Sequence, residues 1–256
     1  MASAQEEPPK LEPVVVTASR IVTQLPSITR QVEVILREEI MAATADSLPE
    51  LLRELSLVDV RERGVDGAQA DISVRGSTFS QVLVLVDGQR MTDPQTGHHI
   101  MDLPVPLSSI ERIEVLRGAG SSLYGPDAFG GVINIITRKP KTAGGHFATE
   151  VGDFGTWHTS FNYSDRWRTW GSQVSGERKW SDGHRADTDY DITTFSWNLF
   201  TSSPRGPVDV AVGMTEKDFG ASGFYAPFPS REETQTLWLS GGGDLELSKN
   251  ATVSPR

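Results

Sequence analysis

Ile110 to Thr137 read IERIEVLRGAGSSLYGPDAFGGVINIIT, and this stretch decides the fold. Its two ends are strand-like: Arg112 to Leu116 and Val132 to Thr137 are dominated by β-branched and aliphatic residues, with glycine close by. Between them lies a glycine-laden stretch, Gly118 to Gly131. The run Gly118-Ala119-Gly120-Ser121-Ser122 lacks both Gly-Lys-Ser/Thr and the G-x-G-x-x-G spacing, so it reads as a tight structural loop and not as a phosphate cradle. Gly130-Gly131 permit close backbone packing or a positive φ before the second strand.

Upstream, from about residue 31, the pattern is a small mixed α/β domain. Val32 to Leu36 reads as a strand. Leu48, Leu51, Leu52 and Leu55 fall at i, i+3, i+4 and i+7 on one helical face. Ser47 with Glu50 predicts a capping box, and Pro49 sits in the first turn, where a missing N–H costs little. Ile72-Ser73-Val74 and the run Val82 to Val86 are further strands, the latter ending at the hairpin signal Asp87-Gly88.

After Pro140 the grammar changes to strands alone. Trp157, Thr159, Phe161 and Tyr163 alternate with His158, Ser160, Asn162 and Ser164, and the same period recurs in Phe195-Trp197-Leu199 and in Val208-Val210-Val212-Met214. Strands are expected near 145–152, 157–166, 169–179, 192–201, 207–217 and 233–247, each near the length a tilted strand needs to cross a bilayer. Long connections, 180–191 and 218–232, alternate with short ones, as in a wall with one end outside and the other in the periplasm.

Residues 5–13 are acidic and proline-rich, a composition that stays extended, and Val14-Val15-Val16-Thr17 follows as a short β-branched run that reads equally as a segment able to pair with another sheet edge or as an ordinary first strand. Met1-Ala2-Ser3-Ala4 reads either as an ordinary small-residue start or as the remnant of a signal-peptidase site. No stretch reaches the eighteen or so apolar residues of a spanning helix. A formal charge of −10 disfavours nucleic acid, and the absence of cysteine removes disulfides and thiolate chemistry while leaving the compartment open. Five scattered histidines show no nucleophile elbow or zinc motif, so no enzyme is expected.

IERIEVLRG (110–118), SSLYG (121–125) and DAFGGVINIIT (127–137), with DISVRG (71–76), VLVDG (84–88) and DPQTG (93–97) before them in order, resemble the plug signature of TonB-dependent outer-membrane receptors. EPVVVTA (12–18) resembles the family's TonB box. The resemblance implies an α+β plug followed by antiparallel transmembrane β-barrel strands: a periplasmic leash over 1–30, a plug over 31–140, and about six of roughly 22 barrel strands over 141–256, a fragment of the barrel.

It further implies energy-coupled uptake of a scarce ligand such as a ferric siderophore or cobalamin, with TonB and its inner-membrane motor as partner. The receptor would be a monomer in outer-membrane lipid, with no cofactor. Glu12, Pro13, Val14, Val15, Val16, Thr17 and Ala18 would engage TonB. Arg75 and Arg117 match two plug arginines that pair with barrel-wall glutamates, the alternative being surface arginines that end strands. Ser77, Thr78, Phe79, Asp93, Gln95, His98, His99, Tyr124 and Asp127 lie on loops expected to face the ligand; His98-His99 could instead be plain solvated loop.

Asp182, Asp187, Asp189 and Asp191 resemble an aspartate-rich calcium loop of cobalamin-type transporters, against the reading of an ordinary acidic outer loop. Phe224, Tyr225 and Phe228 are either an aromatic ligand wall or interface anchors. The alternative function is a ligand-sensing module of the outer membrane that does not transport.

Overall fold

A computed structural model describes residues 14–15, 23–24, 31–55, 58–64, 66–93, 95–139, 142–203, 206–243, 245–248 and 251–253. β1 (Val14–Val15) and β2 (Thr23–Gln24) pair antiparallel. The rest of the expected TonB box, Glu12, Pro13, Val16, Thr17 and Ala18, lies outside the described residues.

The first domain is built on a five-stranded sheet. Its members are β3 (Val32–Leu36), β6 (Val82–Val86), β7 (Gln89–Met91), β8 (Ile110–Arg117) and β9 (Gly131–Thr137), in the order β3-β8-β9-β6-β7. Only β6 and β9 are parallel. All five residues of β6 are buried, because apolar clusters cover both faces of the sheet, so no alternation is visible in its sequence. Asp87 and Gly88 close the β6–β7 hairpin at φ +49° and +79°, the left-handed pair a two-residue hairpin requires.

Two helices pack on this sheet. α1 (Arg37–Ala42) starts where the Glu39 carboxylate accepts the Leu36 N–H at 2.8 Å, and it buries only Ile40. α2 (Leu48–Glu54) buries Leu48, Leu51 and Leu52. Ser47 Oγ accepts the Glu50 N–H at 3.4 Å, while Glu50 reaches back to the Asp46 N–H at 3.1 Å, one residue earlier than a reciprocal box would. β4 (Asp59–Glu62) and β5 (Ala70–Ser73) form a separate hairpin, and a short helix α3 (Ser121–Tyr124) interrupts the glycine-rich crossing from β8 to β9.

The strands β10 (Gly144–Val151), β11 (Trp157–Trp167), β12 (Trp170–Ser181), β13 (Tyr190–Ser203), β14 (Gly206–Gly220) and β15 (Arg231–Gly243) form one antiparallel meander in sequence order. The last is shorter than expected: β16 (Leu245–Ser248) does not continue β15 but turns into a hairpin with β17 (Ala251–Val253).

Trp157 faces Trp180 across β11 and β12, and Trp167 faces Trp170, all four rings exposed on one face. Ten residues separate these two rungs along β11. At roughly 3.4 Å per residue and a tilt of about 40°, they stand about 26 Å apart along the barrel axis, the height of an outer-membrane apolar band. Phe161, Tyr163, Phe195 and Trp197 are exposed between the rungs on the same face, while Asn162, Ser164, Gln173, Ser175, Thr194, Ser196 and Lys217 are buried on the other. The apolar face therefore turns to lipid and the polar face to the lumen.

Candidate ligand-facing rim and plug seat

The lumen face of the strand sheet holds the first domain through buried charge. Lys217 Nζ, on β14, lies 2.7 Å from Asp102 Oδ1 and donates to the Gly67 carbonyl at 2.6 Å; Thr234 of β15 donates to Asp102 Oδ2 at 2.9 Å. Lys179 of β12 donates to the Asp46 carbonyl, and the Tyr190 hydroxyl of β13 to Asp66. Apolar contact continues between these points, since Ala211 and Trp238 of the wall join the main core cluster. At Gly213 a Cβ would stand 2.6 Å from the Pro104 carbonyl, so only glycine admits the domain this close to the strand.

At the long-loop end of the sheet, plug loops and the loop between β14 and β15 meet. Asp93 Oδ1 accepts the N–H groups of Gln95 and Thr96, both at 2.8 Å, and Thr96 Oγ1 accepts that of His98 at 3.3 Å; together they shape the turn that presents His98. His98 stacks on Phe79, with centroids 4.3 Å apart, and a Cβ at Gly97 would meet that ring at 2.9 Å.

Asp71 then bridges His98 Nδ1 at 2.6 Å and Arg63 at 3.0 Å. The Arg63 guanidinium lies 5.1 Å over the Tyr225 ring and donates to the Phe224 carbonyl at 2.8 Å, while Gln69 donates to the Tyr225 hydroxyl at 2.6 Å. Burial pushes the Tyr225 hydroxyl above its ordinary pKa, against the Gln69 hydrogen bond. The result is a continuous aromatic and polar rim, half exposed, that can stack on a planar ligand and donate hydrogen bonds to it.

The expected site residues divide. Phe79 and His98 enter this rim, and Asp93 and Gln95 shape the turn beneath it. His99 lies beside the wall, with Nδ1 3.5 Å from Asp102 and Nε2 3.9 Å from Glu232. Ser77 and Thr78 serve the backbone: Ser77 Oγ accepts the Val74 N–H, and the Thr78 N–H donates to Gln81.

Tyr124 is a correction. It is 6% exposed and packs with Leu83, Leu85 and Leu116, because α3 folds its ring into the plug core instead of toward a ligand. Asp127 pairs with Arg90 at 2.8 Å. Arg117 pairs with Glu33 at 2.9 Å and Arg75 donates to Gln31, both partners lying on the plug itself.

In the Asp-rich loop, Asp189 is salt-bridged to Arg231 and Asp191 to Arg178, both at 2.7 Å, so two of the four carboxylates offered for calcium already hold arginine. The residues sequence reasoning missed are Lys217, Lys179, Arg63 and Asp71. The inward phase of strands β12 and β14 marks the two lysines, but nothing local marks their partners.

Residues 24–132 match the model of the TonB-dependent Receptor Plug Domain. The vitamin B12 transporter BtuB of Vibrio cholerae serotype O1 is 46% identical over 135 residues, 53% of this chain and 22% of that protein, and BtuB of Vibrio vulnificus is 39% identical over 132 residues, 52% and 22% of the two chains. The chain thus spans about a fifth of the length of these relatives.

Among solved structures, Pseudomonas aeruginosa FpvA bound to a heterologous ferric pyoverdine superposes with a TM-score of 0.75 at 15% identity, covering 93% of this chain and 35% of that one. The alcaligin receptor FauA from Bordetella pertussis gives 0.74 at 15%, covering 94% and 40%. These named relatives are transporters and receptors. Residues 24–132 thus form a plug domain of the TonB-dependent receptor type, and the six antiparallel strands that follow share with it the fold of the solved outer-membrane receptors.

Proposed function

We propose that this chain belongs to an energy-coupled importer of a scarce ligand, in which the plug is the gate and the barrel the conduit. The observation that supports the reading best is the seat of the plug. It is held to the lumen by a few buried polar contacts around Lys217 and Asp102, flanked by limited apolar contact, which is strong enough to close a pore and localised enough to be released by force. The rim of Phe79, His98, Arg63 and Tyr225 would meet the ligand first.

The plug identity with proteins named vitamin B12 transporters makes a corrinoid the first ligand to test, with a ferric siderophore second. The segment around Val14 and Val15 would supply TonB with a strand edge, since an extended β-branched run can add to a partner sheet.

The test is capture of a peptide spanning Glu6 to Arg20 by the periplasmic C-terminal domain of TonB, with Val15→Pro as control. Capture that proline abolishes supports coupling. Equal recovery of both peptides, or of neither, points to a ligand-sensing module that does not transport.

A further inference from the structure

Asp46, Glu150 and His158 meet in a cavity of about 140 Å³ at the seam between plug and wall. Asp46 comes from the plug loop between α1 and α2. Glu150 and His158 are directly opposed on β10 and β11, on the lumen face. One potential ligand atom from each residue lies within 4.8 Å of the other two.

His158 supplies an independent observation. Both of its ring nitrogens are buried and neither makes a hydrogen bond. Glu177 stands 3.8 Å from Nε2, beyond hydrogen-bonding distance. A buried imidazole ordinarily donates from one nitrogen and accepts at the other; Glu177, at ion-pair range of Nε2 only, leaves Nδ1 with capacity for a further partner.

The charge around it is negative. Asp46, Asp66 and Glu150 line the cavity and Glu177 flanks it, against the single ammonium of Lys179, which is already held by the Asp46 carbonyl. Asp66 is engaged by the Tyr190 hydroxyl, which leaves Asp46 and Glu150 facing His158. One imidazole with two carboxylates is a donor set for zinc and neighbouring transition metals, whereas calcium takes oxygen alone.

We propose that Asp46, Glu150 and His158 bind a divalent transition-metal ion of the zinc class, stapling the plug to the first two strands of the wall. On the gate function proposed above, the ion bridges two parts of the protein that separate when the plug moves, so metal occupancy raises the resistance of the plug to displacement.

The experiment uses the tag-free receptor, stripped with EDTA and titrated with Zn²⁺ by calorimetry, with excess Ca²⁺ as challenger. We expect saturable binding that calcium does not displace. His158→Gln and Glu150→Gln should each weaken it by more than about tenfold. Zinc should slow amide exchange at residues 43–47 in the wild type and not in Asp46→Asn. His158→Gln removes no hydrogen bond, so it should fold as the parent does. Unchanged zinc affinity in His158→Gln, or displacement by calcium, overturns the proposal.

Discussion

Replacing Lys217 by methionine tests how the plug is seated. The Lys217 and Asp102 side chains are 6% and 3% exposed, and the ammonium also satisfies the Gly67 carbonyl. Methionine keeps the volume and apolar stem but leaves the Asp102 carboxylate buried, with the Thr234 hydroxyl as its hydrogen-bond donor and His99 Nδ1 3.5 Å away. Breaking a buried pair from one side costs about 3–5 kcal/mol, and at about 1.4 kcal/mol per decade the lower figure moves the opening equilibrium roughly a hundredfold.

Amide exchange on the intact receptor reads this directly. Protection at residues 66–70, which sit under Lys217, should fall by about two orders of magnitude in Lys217→Met. Most of it should return in Lys217→Met combined with Asp102→Asn, because the uncompensated charge is then gone. A loss below about tenfold, or no recovery in the double variant, would refute the assignment of this pair as the main polar anchor.

Other changes probe single links. Asp87→Asn should stabilise the plug increasingly as pH rises: burial holds the Asp87 carboxyl above its ordinary range despite its bonds to the Thr137 N–H and hydroxyl, so the folded state keeps its proton longer than the unfolded chain does. The gap in urea midpoint between the Asp87→Asn variant and the parent should therefore widen from about pH 4 upward, and a gap independent of pH would contradict this. Gly97→Ala should push Phe79 off His98 and weaken ligand binding by about tenfold in equilibrium titration, with the thermal midpoint nearly unchanged. Gly213→Ala drives a methyl into the Pro104 backbone, which no rotamer change relieves. It should cost about 1–3 kcal/mol and make the plug loop at 104–109 more sensitive to protease.

Much of the plug was legible because its elements obey local rules. Asp87-Gly88 demands a hairpin, and the leucines of α2 share one face. The wall strands followed from their period of two. Other elements escaped for the opposite reason. Asp59–Glu62 reads as polar chain and becomes a strand only by pairing with β5, and Arg37–Ala42 buries a single side chain, too little to leave a periodic trace.

The site was harder. Tyr225, left open between ligand wall and interface anchor, is fixed by Gln69 and Arg63, more than 150 residues away in sequence. Neighbouring aspartates in the loop before β13 and at its start looked like a ligand set, yet two of them are held by arginines from β12 and β15. Contacts between distant segments decide such places, and spacing along the chain does not report them.

The central claim, that ligand movement through this receptor is coupled to a pull on its leading segment, is tested most directly by uptake in cells carrying the receptor with and without Val15→Pro. Labelled cobalamin and a ferric siderophore are supplied in parallel. The account predicts that one of these ligands still binds the cell surface while its accumulation inside stops. Continued accumulation in the Val15→Pro cells, or loss of surface binding together with uptake, would contradict it.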